Sequence, residues 1–156
     1  MIHHISIPAK NPAHIASVIA ELFNTNYCAP FPSHEGSYVA LAGDEYGTVI
    51  EVYPWGTLMT PGEDDKPIQF QHQNTPNQFI SCHAAMSIPL NQSQIESIAE
   101  REQWRCLRCT RGSFEVIELW LENTVLLELA TPELAEQYIN AFIPEKVAEY
   151  FAGGKS

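Results

Sequence analysis

HISIPAKNPAHIASVIAEL (residues 4–22) and HAAMSIPLNQSQIESIAE (residues 83–100) are two versions of one pattern. Each starts with a histidine on a short alternating run, passes an asparagine and enters a stretch with helical spacing. In the first copy Asn11 is a helix cap and Pro12 takes the first helical position, where its missing N–H costs nothing. Ile15, Val18, Ile19 and Leu22 then recur at helical spacing to about Phe23. In the second copy Asn91 caps a helix carrying Ile95, Ile98 and Ala99. Sliding the chain by 79 residues sets His4 on His83 and Ile19-Ala20-Glu21 on Ile98-Ala99-Glu100.

The duplication continues outward. The first copy opens on a strand over residues 2–8, and its helix is followed by three strand-like runs, Tyr27–Phe31, Tyr38–Ala42 and Thr48–Tyr53, divided by turn residues. The second opens on Phe79–Ile88, and its helix is followed by Trp104–Cys109, Phe114–Leu121 and Val125–Leu129. A shift of 77 residues sets Ile50-Glu51-Val52 on Leu127-Glu128-Leu129. Such internal repetition predicts the architecture more firmly than any single element. The expected fold is α+β, with two tandem βαβββ modules forming a cupped mixed sheet, plus C-terminal helices. The expected organisation is one domain over 1–156, with repeats at 1–55 and 79–130. A linker over 56–78, rich in Pro, Gln, Asn and acid, joins them, and 131–151 form a helical extension divided at Pro144.

Composition narrows the function. The 156 residues carry eight Lys+Arg against nineteen Asp+Glu, a formal charge of −11. A protein that neutralises phosphates needs a basic face, so binding to nucleic acid or to an anionic membrane is not expected. The longest apolar runs, such as Val125–Leu129, fall far short of the ~20 residues of a membrane helix. MIHHISIPAK lacks the basic and apolar regions of a secretory signal, so a cytoplasmic protein is expected. Four cysteines (Cys28, Cys82, Cys106 and Cys109) do not suggest a disulfide framework, and the lone CxxC at 106–109 lacks the partner ligands of a zinc site.

Strand parity picks out four residues. On the first strand His3, Ile5 and Ile7 share the face that meets the helix, which turns His4, not His3, to the opposite face. On its counterpart Ala84, Met86 and Ile88 are the apolar set and His83 is opposite. On the last strand of each half, Ile50 and Val52, or Leu127 and Leu129, take the helix side, so Glu51 and Glu128 leave it. Two imidazoles and two carboxylates at duplicate positions form a mixed N/O donor set suited to a divalent metal, with room for water or substrate.

This pattern resembles the vicinal oxygen chelate superfamily, which includes glyoxalase I, extradiol dioxygenases, methylmalonyl-CoA epimerase and the bleomycin and fosfomycin resistance proteins. The resemblance spans residues 1 to about 130. It rests on the two stretches quoted above, on TVIEVYPWG (48–56) and on TVLLELATPE (124–133). It implies that His4, Glu51, His83 and Glu128 are metal ligands, in the bacterial glyoxalase I version of the set. The ion would be Ni, Zn, Mn, Fe or Co. The implied reaction is of lyase or isomerase type on a small oxygenated substrate. It would proceed by proton transfer beside a metal-bound carbonyl through an enediolate. A carboxylate would be the general base, Glu128 in first place and Glu51 in second. The resemblance further implies modules that pair within a chain or across a homodimer.

The alternatives are an Fe(II) ring-cleaving dioxygenase, for which His4, His83 and Glu128 would supply the triad, and a non-catalytic small-molecule binding protein. FEVIELWLEN (114–123) lacks the tyrosine that the dioxygenases usually bring to the strand before the last Glu. Glyoxalase I usually has an arginine shortly after its first histidine, where this chain has Pro8 and Ala9. Arg101, Arg105, Arg108 and Arg111 gather in one segment, expected to be a solvated helix end and strand, with an anion-binding patch as the other reading. Tyr53, Trp55, Phe70 and Trp120 are expected in the core, with a role as site walls as the other reading. Leu134, Tyr138, Phe142 and Phe151 would cover one end of the sheet or a second subunit.

Overall fold

A computed structural model describes residues 2–32, 34–145 and 147–148, and the chain divides into two compact units, Met1–Cys82 and His83–Ser156. In the first unit β1 (His4–Ala9), α1 (Pro12–Leu22), β2 (Cys28–Pro30), β3 (Tyr38–Leu41) and β4 (Val49–Pro54) make one βαβββ module. Its four-stranded sheet has the order β1-β4-β3-β2. The β1–β4 pair is parallel and the other two are antiparallel, so the sheet is mixed.

The helix forms where the sequence places it, for the expected reasons. The Asn11 side chain accepts a hydrogen bond from the backbone N–H of His14 (3.2 Å), and Pro12 opens the first turn. Ile15, Ala16, Val18, Ile19, Ala20 and Leu22 are buried against the sheet, together with Ile7, Ile50 and Val52 from the strands. Asn24 and Asn26 then take left-handed backbone (φ 58° and 53°), which asparagine tolerates, and the chain turns into β2.

Residues 56–78 depart from the linker reading. β5 (Thr57–Thr60) and β6 (Gln69–His72) pair as an antiparallel two-stranded sheet. Gly56 makes the corner that leads into it, at φ +94°. A Cβ there would lie 2.5 Å from the Gln73 carbonyl oxygen, so only glycine fits. The strands TLMT and QFQH carry little apolar alternation. Phe70 anchors the hairpin by stacking on Tyr53, with ring centroids 5.6 Å apart.

The second unit repeats the module with β7 (Ala84–Ser87), α2 (Gln92–Glu102), β8 (Cys106–Thr110), β9 (Glu115–Leu121) and β10 (Val125–Ala130), in sheet order β7-β10-β9-β8. β7 and β10 are parallel and the rest antiparallel, matching the first sheet strand for strand. A reciprocal capping box starts α2: Asn91 accepts from the Gln94 N–H (3.0 Å), and the Gln94 side chain accepts from the Asn91 N–H (2.9 Å). Glu122 and Asn123, both at positive φ, form the tight turn between β9 and β10. Ile117, Leu119, Leu121, Leu127 and Leu129 are fully buried.

α3 (Pro132–Ala141) follows, capped by Thr131, and buries Leu134. Tyr138 and Phe142 pack their rings around Phe114, with centroids 4.7 to 5.5 Å apart, so these tail residues cover part of their own unit. Phe151 lies outside the described residues. Among the described residues no helix is long and apolar enough to cross a membrane.

Candidate metal centre

The parallel strand pair of each unit sets the candidate ligands in the same register. In the first unit Ser6 pairs with Glu51, so His4 sits two positions before the residue opposite the glutamate. In the second unit Ala85 pairs with Glu128, so His83 again sits two positions before it. Residues two apart share a face of a strand, which puts His4 and Glu51 on the face away from Ile7, Ile50 and Val52, and Glu128 on the face away from Leu127 and Leu129, while His83 immediately precedes β7. His3 shows the parity directly: it is on the other face of the first strand, where its Nδ1 donates to the Tyr46 carbonyl oxygen (2.7 Å).

Glu51 is held by neutral donors. Ser6 Oγ donates to its Oε2 at 2.8 Å, and the Tyr53 hydroxyl donates to the same oxygen at 3.3 Å. Oε1 is left 4.0 Å from His4 Nε2. Two ligands that share one ion at ~2.1 Å stand about 3 to 4 Å apart, so the spacing suits a shared cation. The His4 side chain is 60% exposed and the Glu51 side chain 15%, so the carboxylate is the fixed member. Burial of the Tyr53 phenol, followed by the charge of Glu51 and the hydrogen bond to it, pushes its pKa up to about 12. Tyr53 therefore remains a donor throughout the neutral range.

Glu128 is held by a cation. Arg111 Nε donates to Glu128 Oε1 at 2.9 Å, and an Arg111 terminal nitrogen lies 2.8 Å from the same oxygen. The same nitrogen also donates to Glu118 Oε1. Trp120 Nε1 donates to the other Glu118 oxygen at 3.2 Å. Arg111 holds the Glu118 carboxyl below the usual carboxylate range, and the two carboxylates raise the guanidinium pKa in return. His83 is exposed just ahead of β7.

Among the described residues no group of three or more His, Cys, Asp or Glu side chains is gathered closely enough to hold a metal ion. What each unit presents is one imidazole and one carboxylate in a common register. That donor chemistry fits a divalent ion, provided Glu128 exchanges its guanidinium for the metal.

The arginine segment is committed to acids at three of four positions: Arg101 to Glu102, Arg108 to Glu115 and Arg111 to both Glu118 and Glu128. That leaves little of it for an external anion. All four cysteines are free thiols. Tyr53 is buried, whereas Trp55, Phe70 and Trp120 are half-buried. Glu118 is a site residue that sequence reasoning did not single out, and Arg111 entered it only as part of the arginine segment. The available signal was register: an antiparallel hairpin turning at 122–123 sets Glu118 directly opposite Glu128.

In the first unit a cavity of about 390 Å³ is lined by His34, Glu35, Pro54, Thr57, Phe70, Gln71 and His72. The His34 ring packs on Tyr53 and Phe70 and is held by Ser37 Oγ at 2.8 Å.

No protein-family model matches the chain, and no curated protein matches it. Solved structures do. The fosfomycin resistance protein FosX from Listeria monocytogenes, complexed with Mn(II) and sulfate, superposes with a TM-score of 0.54 at 14% identity, over 90% of this chain and 96% of that one. Its monoclinic form gives a TM-score of 0.53 at 14% identity, over 90% and 97%. A possible glyoxalase from Bacillus cereus overlaps less well, with a TM-score of 0.43 at 11% identity over 83% and 96%. At such identities likeness speaks to architecture alone, and the FosX structures and the duplicated βαβββ topology agree on it: the chain has the fold of the vicinal oxygen chelate superfamily.

Proposed function

We propose that the chain is a divalent-metal-dependent enzyme of the vicinal oxygen chelate type. In this reading His4, Glu51, His83 and Glu128 are the ligands, supplied by two modules of one chain or of a homodimer. The reaction is lyase- or isomerase-like proton transfer on a small oxygenated substrate. The observation that carries the reading is the repeated register: each unit sets its histidine two positions before the residue that faces its glutamate. The Mn(II) held by FosX, which shares the fold, is consistent with an ion in such a site.

A divalent ion here would supply Lewis acidity, polarising a carbonyl oxygen of the substrate. The protein's own groups do the rest. Ser6 and Tyr53 fix Glu51 through one oxygen and leave the other to a ligand. Glu128 is the carboxylate assigned to move the proton, with Glu51 in second place, an order that rests on the family resemblance.

A second reading, a binding protein without turnover, is favoured by the aromatic-walled cavity of the first unit. Metal analysis of untagged protein separates the two. The enzyme reading expects uptake of Ni, Zn, Mn, Fe or Co that is lost in His4→Ala and in His83→Ala. Absence of metal, and of uptake on titration, overturns it. Sedimentation tests the dimer, expected at twice the 17.5 kDa chain mass.

A further inference from the structure

Glu118 and Glu128 face one another across the β9–β10 ladder, and their side chains are only 15% and 13% exposed. Like charges set directly opposite on antiparallel strands repel, and burial strengthens the repulsion. Arg111 resolves the conflict. It follows β8 directly, its backbone N–H donates to the Phe114 carbonyl at 2.7 Å, and its guanidinium reaches both carboxylates. The first unit has no such arrangement: Glu51 is opposite Val39 on one side and Ser6 on the other.

Resting on the metal reading above, we propose that Arg111 is a built-in counter-ion that occupies Glu128 until a divalent cation displaces it, and that Glu118 is the partner onto which it withdraws. The charge balance favours the exchange. Without metal, one guanidinium serves two carboxylates. With metal on Glu128, the guanidinium keeps a full partner in Glu118, and no buried charge is left unpaired. Glu118 is prepared for this, because Trp120 already holds its far oxygen. Arg111 is in this sense a positioning residue. It keeps Glu128 in place, and it sets the threshold for loading.

The test is titration of MnCl₂ and ZnCl₂ into metal-free wild type, Arg111→Gln and Glu118→Gln by calorimetry, with thermal melts in chelator and in metal. Removing the competing guanidinium is expected to tighten binding in Arg111→Gln roughly tenfold to a hundredfold, the range for charge-assisted hydrogen bonds. Glu118→Gln, which removes the refuge of Arg111, is expected to bind more weakly than wild type. In chelator Arg111→Gln should melt about 4 °C lower, and metal should raise its Tm more than that of wild type. The double variant Arg111→Gln/Glu118→Gln relieves the repulsion and folds if the single variant does not. It should bind as tightly as expected for Arg111→Gln. Equal or weaker affinity once Arg111 is removed would overturn the proposal while leaving the metal site standing. No binding by any of these proteins would overturn both.

Discussion

Glu51 and Glu128 occupy the same position in two copies of one module, yet the protein holds them by opposite means. Glu51 accepts from two neutral hydroxyls, Ser6 and Tyr53, and has no acidic neighbour across the strands. Glu128 faces a second carboxylate and shares a guanidinium with it. Duplication kept the backbone register and the His–Glu relation but not the electrostatics around them. Backbone pairing places a carboxylate on a face, whereas neighbouring side chains decide whether neutral donors or a cation hold it there. The two halves therefore differ in electrostatics more than in fold, and substitutions at paired positions can separate the two levels.

The largest effects should be the ones the halves share. Ile50 and Leu127 precede the two glutamates on the helix-facing side and are 3% and 0% exposed. Truncation of either to alanine should cost about 2–5 kcal/mol by denaturant unfolding. A large imbalance between them would break the structural equivalence of the modules.

Next come the groups that hold each carboxylate. Arg111→Gln leaves two facing carboxylates. With the solvent screening of a part-exposed guanidinium allowed for, it should destabilise the metal-free protein by about 1–2 kcal/mol. Ser6→Ala leaves Glu51 with Tyr53 alone and should cost about 1 kcal/mol. High salt should weaken the first effect and spare the second. If both responded alike to salt, the contrast between charged and neutral support would be lost.

The smallest effects are in pH, and they run in opposite directions. Arg111 depresses the Glu118 pKa, so this contribution to stability is complete above the unfolded carboxylate pKa and is lost as pH falls through the folded one. It should be missing from the acid limb of Arg111→Gln. The Tyr53 pKa is raised to about 12, so its contribution is complete below about pH 10 and declines as pH rises toward the folded value. Glu51→Gln removes the neighbouring charge and should bring the Tyr53 titration down, read as phenolate absorbance against a Tyr53→Phe control.

Much of this was legible in the residues. Strand parity separated His4 from His3, and the structure anchors His3 to Tyr46 on the other face. Asn11, Pro12 and Asn91 marked both helix starts, because caps act locally and need no tertiary partner. The hairpin over 57–72 was not legible. Its strands are polar on both faces, and what orders them is one ring, Phe70, seated on a tyrosine brought there by another strand. The hold of Arg111 on Glu128 was equally hidden, since it depends on which residue of β9 faces Glu128 and on a guanidinium reaching in from the turn after β8. Local chemistry reads from sequence, and cross-strand charge pairing needs the register.

The proposal to test is that His4, Glu51, His83 and Glu128 all serve as ligands of a divalent cation. The most direct measurement is the metal stoichiometry and affinity of His4→Ala, Glu51→Gln, His83→Ala and Glu128→Gln against wild type, on untagged chains shown to fold by circular dichroism. The account predicts one ion per chain in wild type and a loss of roughly a hundredfold or more in affinity in each of the four variants, beyond the range for outer-shell changes. Undiminished binding in the His83 and Glu128 variants, with loss confined to His4 and Glu51, would contradict it.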